Sequence, residues 1–481
     1  MRIRKVVAAL AVFGLLAAAC SDDDDDGQVS TDPPTTEAAV EEESGTEDSA
    51  PSTDAVTDDT TAPGGTEAPA GTDAPADSIA PEDVVVSGQG VDDDTVLIGM
   101  SIDQSGVAAP ISKDIIKSLE ARFAVANDDG GIAGRQIEMI VLDDKGDPTQ
   151  ALSNFRQLWE KDKVFAMYTL GSGAPLEYID QQQVPTFVLG GTAEAFSSTY
   201  PTILPLGSLT PTWAAQTAYS LSEYADIHPK KVAVLYNPDL EALNPFIENY
   251  WTELGVEEVI FDPPPADCSA LVLKYQDAGV DYWDFQDFGF IGCVFAEQTL
   301  GWEPPMGQGG AIASTLAITR VVGEPMYGGI AGSPNRLADG RPTYDEPTEA
   351  HQAYLDGMAE YAPELYADTP ALNDAMTVLA WVAGNFIVED IDGIAAAGEI
   401  SQEAALEWAW AIEDWDSGLA GVIHSASPDC KTGNDASIWG YWVDDGNGDF
   451  VVDPFVPDLI DNSWLGLDEC YLTALADEVT S

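Results

Sequence analysis

From Thr95 to Phe288, short apolar runs rich in β-branched residues alternate with stretches of helical spacing, and the alternation runs through twice. Strands separated by helical runs imply parallel sheets with helices on both faces. A strand at Thr95–Ile102 precedes the helical stretch Lys113–Asn127. IAGRQIEMIVLDD holds a second strand before the helical PTQALSNFRQLWEKD, KVFAMYTL is a third, and VPTFVLGG follows a short helix ending at Gln183. After YPTILPLGS the rhythm restarts with a helix at Pro211–Ile227 and the strand KKVAVLYN. A helix at Leu243–Leu254, the strand VEEVIFD, a helix from Ser269 and the strand DYWDFQDF complete it. Some 390 residues exceed one ordinary core, so the expectation is an α/β protein of two Rossmann-like lobes in succession.

From about Asp345 the texture changes to long helices without strands, in PTEAHQAYLDGMAEYA, PALNDAMTVLAWVAGNFIVED and SQEAALEWAWAIEDW. IWGYWVDDGNGDFVVDPF reads as a hairpin turned at Asp445-Gly446-Asn447-Gly448, since Asn-Gly and Asp-Gly supply the positive φ such turns need. Helices that return after the second lobe place the chain back on the first, across a hinge of several strands. The expected divisions are 93–210 and 336–422 for the first lobe and 211–335 for the second. Residues 423–481 are expected to return to the second lobe and end in the hairpin.

The first 92 residues are of another kind. Arg2, Arg4 and Lys5 precede an apolar run from Val6 to Ala19, too short for a membrane span and suited to an export signal over residues 1–20. Ala17-Ala18-Ala19 before Cys20 fits ordinary cleavage and also resembles a lipobox, with Leu16 one residue further from the cysteine than usual; lipidation of Cys20 is the expectation. Residues 21–92, built of Asp, Glu, Thr, Pro, Ala, Ser and Gly, cannot bury enough apolar surface to offset their ordering entropy and read as a disordered tether. About 70 such residues reach on the order of 45 Å, and further under self-repulsion.

Of the formal charge of −66, residues 21–90 contribute 20 acidic groups and no Lys or Arg, which leaves 64 acidic and 15 basic residues, a net −49, in 91–481. No basic patch is available for nucleic acid. The acidic surface suits solubility in a saline medium and equally compositional drift. With Cys20 lipidated, Cys268, Cys293, Cys430 and Cys470 form an even set in an oxidising compartment. Of the three connectivities, Cys268–Cys293 with Cys430–Cys470 joins the pairs nearest in sequence. No CxxC occurs, and His228, His351 and His424 lie far apart, so neither a metal site nor a cofactor is expected. GxSxG, Walker and HExxH signatures are missing, and the chain reads as no enzyme. Trp408 and Trp410 sit at helical spacing and read as packing rather than a sugar platform.

Gly130–Gly173, GGIAGRQIEMIVLDDKGDPTQALSNFRQLWEKDKVFAMYTLGSG, resembles the N-terminal lobe of the type I periplasmic binding proteins, in the leucine/isoleucine/valine-binding branch that serves ABC importers. The resemblance runs from about Thr95 to about Val422. It implies a bilobed receptor with three hinge crossings and a ligand held in the cleft. In that family a serine and a threonine at two strand-end corners bind the amino-acid carboxylate and ammonium, and the matching residues here are Ser172 and Thr192. The family's amine-binding Glu belongs within MGQGGAIA, where this chain has Gln308, Gly309 and Gly310. Its first-strand aromatic is missing near Pro110-Ile111. An α-amino acid would then need Glu241, Asp239 or Asp287 as countercharge.

In open parallel sheets ligands sit beyond the carboxyl ends of strands. Gly171-Ser172-Gly173 and Gly190-Gly191-Thr192 are corners of that kind, where a helix start directs unpaired N–H groups and a positive dipole end at an anion. Ser172 and Thr192 either cap these helices or bond the ligand; Gly173 and Gly191 allow close approach. Gln104 and Ser105 follow the first strand, and Glu241, Phe288 and Gln308 follow strands of the second lobe. The function implied is capture of a small amino-acid-like or carboxylate-bearing solute by a monomeric, lipid-anchored receptor that hands it to ABC permease subunits. A sensory receptor reporting to a membrane partner and a surface scaffold are the alternatives, since fold does not fix function.

Overall fold

The run Thr95–Ile102 forms β1, the second strand of a five-stranded sheet ordered β2-β1-β3-β4-β5, with β2 Gln136–Asp143, β3 Ala166–Thr169, β4 Thr186–Val188 and β5 Ile203–Pro205. Every pairing is parallel, and β1 and β2 register residue for residue from Thr95↔Gln136 to Ile102↔Asp143. The computed structural model describes residue 80 and residues 83–480, except 107, 172, 191, 208–209, 287–289, 303, 309–328, 334–336, 339–340, 343–347, 373, 413, 422–426, 435, 445–449, 457–458 and 461–469. All belong to one compact unit, 77–481. The leader, Cys20 and the tether as far as residue 79 lie outside the described residues, as does the hairpin turn.

Helices cover both faces of this sheet. On one, α1 (Ala109–Asp128) packs with the returning helices α9 (Glu349–Tyr361), α10 (Ala375–Ala397) and α11 (Gln402–Ala411) in a core with Met100, Leu119, Tyr354, Trp381 and Phe386. Helix α10 is apolar nearly all round because that core surrounds it. On the other face, α2 (Pro148–Arg156), α3 (Leu176–Gln182) and the single turn α4 (Ala193–Phe196) enclose Phe155, Met167, Ile179 and Phe196.

The second sheet is ordered β12-β11-β10-β9-β8-β6-β7, with β6 Lys231–Tyr236, β7 Glu258–Asp262, β8 Tyr282–Gln286, β9 Met306–Gln308, β10 Ile330–Ser333, β11 Ile438–Asp444 and β12 Phe450–Pro454. β6 to β10 are parallel, whereas β11 and β12 form the antiparallel hairpin that extends the edge. Helices α5 (Thr210–Glu223), α6 (Asn244–Glu253), α7 (Ser269–Ala278) and α8 (Phe290–Leu300) flank it. Cys268–Cys293 joins α8 to the residue before α7, and Cys430–Cys470 joins the approach to β11 to the start of α12 (Tyr471–Thr480).

Two segments lie elsewhere than expected. Residues 83–92 are not tether: Val85–Val86 pair in parallel with Glu399–Ile400, and the Gln89 amide donates to the Trp159 and Val164 carbonyls. Val84-Val85-Val86 is β-branched and supplies the apolar surface the preceding acidic stretch lacks. Of residues 423–481, the hairpin joins the second sheet, but α12 packs Leu472, Leu475 and Ala476 against Phe196 and Ile203 of the first lobe.

Candidate functional site

The two glycine corners lie side by side because β3 and β4 are neighbours and their ladder continues past both strand ends. The Leu189 amide donates to Thr169 O at 3.0 Å and the Gly190 amide to Leu170 O at 2.9 Å. Gly171 stands at φ +98°, and a Cβ there would lie 2.6 Å from Gly190 O, so only glycine lets these backbones meet. Gly173, exposed, has φ +74°. Ser172 and Gly191 lie outside the described residues.

The helices that follow the corners are shorter than a strong dipole needs, and the first starts late. After the first corner α3 begins only at Leu176, behind Pro175, because a residue preceding proline is held out of the helical region. After the second, α4 is one turn long and ends where Ser197 turns extended. Neither short helix offers much of a dipole. Thr192 takes the N-cap position with extended backbone, φ −91° and ψ 156°, yet its hydroxyl makes no cap bond. Its Oγ1 is buried without a hydrogen-bond partner. A buried hydroxyl left unpaired costs on the order of 1–3 kcal/mol, so Oγ1 lends the fold no hydrogen bond.

The loop after β1 is held internally. Asp103 accepts from the amides of Ser105, Gly106 and Ala108 and so caps α1 from outside it. Asp143, at the end of β2, accepts the Ser105 hydroxyl at 2.6 Å and the Gln104 amide at 2.9 Å. The Ser105 hydroxyl, and then the Gln104 and Lys145 amides, hold that carboxyl below its ordinary value. Both Gln104 and Ser105 are exposed, and the Ser105 hydroxyl is already engaged.

In the second lobe Glu241 is exposed on the 3-10 helix Pro238–Leu243. Asp287, Phe288, Gly309, Gly310 and the side chains of Asp239 and Gln308 lie outside the described residues. The sequence reading missed Asp284 and Gln286 on β8. Both are buried, with Gln286 Nε2 donating to Asp284 Oδ1 at 2.8 Å. Burial pushes the Asp284 carboxyl up to about 7, against the opposing pull of Gln286 and Trp251. The signal was present: Tyr282, Asp284 and Gln286 repeat at period two in an otherwise apolar strand. Trp408 is half-buried and Trp410 buried, the latter donating its indole N–H to Pro201 O at 2.9 Å. Among the described residues no group of three or more His, Cys, Asp or Glu is placed to hold a metal, and no helix is long and apolar enough to cross a membrane.

Comparison with known proteins agrees with this architecture. The sequence model of a family described as periplasmic binding protein matches residues 95–434. Two curated relatives, Leu/Ile/Val-binding protein homologs 2 and 1 of Brucella abortus (strain 2308), are each 26% identical over 200 residues, covering 39% of this chain and 53% of theirs. The chain thus spans about half the length of the curated relatives it matches. Among solved structures, a fatty acid ABC transporter substrate-binding protein from Thermomonospora curvata superposes with a TM-score of 0.64 at 18% identity, over 81% of this chain and 98% of that one. A leucine-binding protein from Thermotoga maritima MSB8 gives 0.61 at 17%, over 75% and 99%. A solute-binding protein from R. palustris in complex with 4-hydroxybenzoate gives 0.61 at 16%, over 76% and 97%. At these identities the likeness is one of fold.

Proposed function

The chain belongs to the periplasmic binding protein family, and from that premise we propose that it is an extracytoplasmic solute-binding lipoprotein of an ABC importer. The signal would occupy residues 1–20, Cys20 would carry the lipid, and the tether would run from 21 to about 82. Intact mass of the exported chain tests the anchor: a chain beginning at Cys20 without added lipid removes it.

The solute is a small amino-acid-like or carboxylate-bearing molecule held at the Gly171 and Thr192 corners. The observation that carries this reading is the buried, unpartnered Thr192 hydroxyl at the carboxyl end of β4, beside the Gly171 corner that follows β3. A carboxylate accepts from such donors without a lysine, and charged hydrogen bonds of this kind are each worth about 1.5–3 kcal/mol. Solute bound to one lobe favours closure of the other upon it, and the closed population is what a permease would recognise. ATP hydrolysis belongs to the transporter; this chain has no chemistry to perform.

A thermal-shift screen over branched-chain and polar amino acids, amides, urea, short carboxylic acids and 4-hydroxybenzoate tests the reading. A solute at 100 times its Kd stabilises by about 2.7 kcal/mol. The expected hit carries a carboxylate or another planar oxygen acceptor, and Ser172→Ala with Thr192→Ala abolishes its shift. A hit indifferent to that double change moves the pocket elsewhere, and silence across the whole panel rejects the solute class.

A further inference from the structure

Residues 427–437 carry the chain from α11 of the first lobe towards β11 of the second. They run beside the outgoing crossing: the Asn434 amide donates to Gly207 O at 3.1 Å, and a Cβ on Gly433, at φ +58°, would stand 1.9 Å from the same oxygen. Lys431, in this returning crossing, is 0% exposed. Lysine is almost never fully buried unless its ammonium finds partners. Here Nζ donates to Tyr200 O at 2.7 Å and to Ala195 O at 3.3 Å, and lies 5.7 Å over the Trp410 ring. Ala195 belongs to α4, the single turn that Thr192 opens.

Helix α12 holds the same segment as well. Asp477 accepts from the Ser197 hydroxyl at 2.7 Å and from the Ser198 amide and hydroxyl at 2.9 and 2.7 Å. Thr473 Oγ1 receives the Lys431 amide at 2.7 Å, and Cys470 is bonded to Cys430. The Tyr471 hydroxyl stands 3.1 Å from that of Thr212 on α5, so α12 also touches the second lobe.

We propose that Lys431 is a positioning residue for the solute corner: its side-chain nitrogen ties the 193–200 segment, which follows directly on Thr192, to the returning crossing, so that hinge movement and corner geometry change together. The proposal rests on the reading of Thr192 as solute-facing, whereas the clasp itself does not depend on which solute binds.

The charged groups facing Lys431 are Asp477 from α12, Asp180 from α3 and Asp429 from its own segment. Burial is the largest influence and brings the amine down to about 7, while all three carboxylates oppose it. A local opening that hydrates Lys431 restores an ordinary amine, near 10.4. Between those values the closed clasp holds a neutral amine and the opened one takes up a proton, so opening becomes rarer as pH rises. A side chain that only fills space gives no such slope.

The test is hydrogen exchange of the exported chain without solute, read by mass spectrometry on peptides covering 193–200, from about pH 6.5 to about pH 9 and corrected for intrinsic base catalysis. Protection of 193–200 should climb by up to about tenfold per pH unit above about pH 7. Strands β6 to β8 should not follow it, and Lys431→Met should level it. Equal slopes in the native chain and Lys431→Met overturn the assignment. If Lys431→Met does not fold, the native chain decides by itself, because a flat profile at 193–200 overturns the proposal equally. With no solute present, failure here leaves the thermal-shift screen unaffected, and a failed screen leaves this result standing.

Discussion

Thr192→Val exchanges a hydroxyl for a methyl of nearly equal size at a backbone, φ −91° and ψ 156°, that suits a β-branched residue. Free and solute-bound protein should respond with opposite signs. In the free chain Oγ1 is buried and makes no hydrogen bond, so nothing in the fold is lost with it. Removing an unpaired buried hydroxyl relieves a desolvation cost of about 1–3 kcal/mol, and the variant should be as stable as the native chain or up to about 2 kcal/mol more so. An N-cap role would give the other sign, a loss of about 1 kcal/mol. In the bound form the missing donor leaves a solute oxygen unpaired, at about 1.5–3 kcal/mol, which lowers affinity roughly 10- to 150-fold. Urea denaturation of the free chain and calorimetric titration with the hit from the solute screen measure the two effects. Because two lobes need not unfold together, the transition to follow is the one reported by first-lobe amides. A free chain weakened by about 1 kcal/mol or more, or a solute affinity that does not change, refutes the reasoning.

Two further perturbations test the frame around the corners. Gly171→Ala places a Cβ 2.6 Å from Gly190 O and 2.7 Å from Val188 Cγ1 at φ +98°, and should destabilise the first lobe by about 1–3 kcal/mol in the same denaturation assay; an unchanged midpoint contradicts the close approach of the two corners. Asp284→Asn and Asp390→Asn address carboxyls that burial pushes up, Asp284 to about 7 and Asp390 well above its usual range with both oxygens unpartnered. A raised folded value contributes stability that is complete below the unfolded value, about 3.9, and is lost as pH rises through the folded one. For Asp284 that window is about pH 4 to 7. Each asparagine variant should therefore melt above the native chain at neutral pH and converge with it near pH 4, and parallel melting curves across that range would show that these acids are not buried neutral.

What could be read from the chain without coordinates follows from how local each cause is. Period-two and period-3.6 patterns act over a few residues, and β1 at Thr95–Ile102 and the hairpin strands β11 and β12 stand where those patterns place them. Cys268 and Cys293 meet because α7 and α8 are consecutive helices on one sheet, a neighbourhood that short sequence separation already encodes. The helix start at the first corner was misplaced for a cause just as local, the effect of Pro175 on the residue before it, which the glycine pattern outweighed. Other features have no local trace. Lys431 reaches a carbonyl 236 positions away, and α12 resembles any amphipathic helix until it meets Phe196 and Ser197. The buried state of Asp284 likewise depends on α6 lying across β8, where Trp251 packs 5.5 Å from the ring of Tyr282. Thr192 stands where the two kinds of cause meet. Gly-Gly-Thr at a strand end locates the residue, but whether its hydroxyl caps a helix or faces a solute depends on the length of α4, and that segment is held by Lys431 and Asp477, both more than 230 positions downstream. A change in the terminal segment should therefore alter solute capture without touching any residue that contacts the solute.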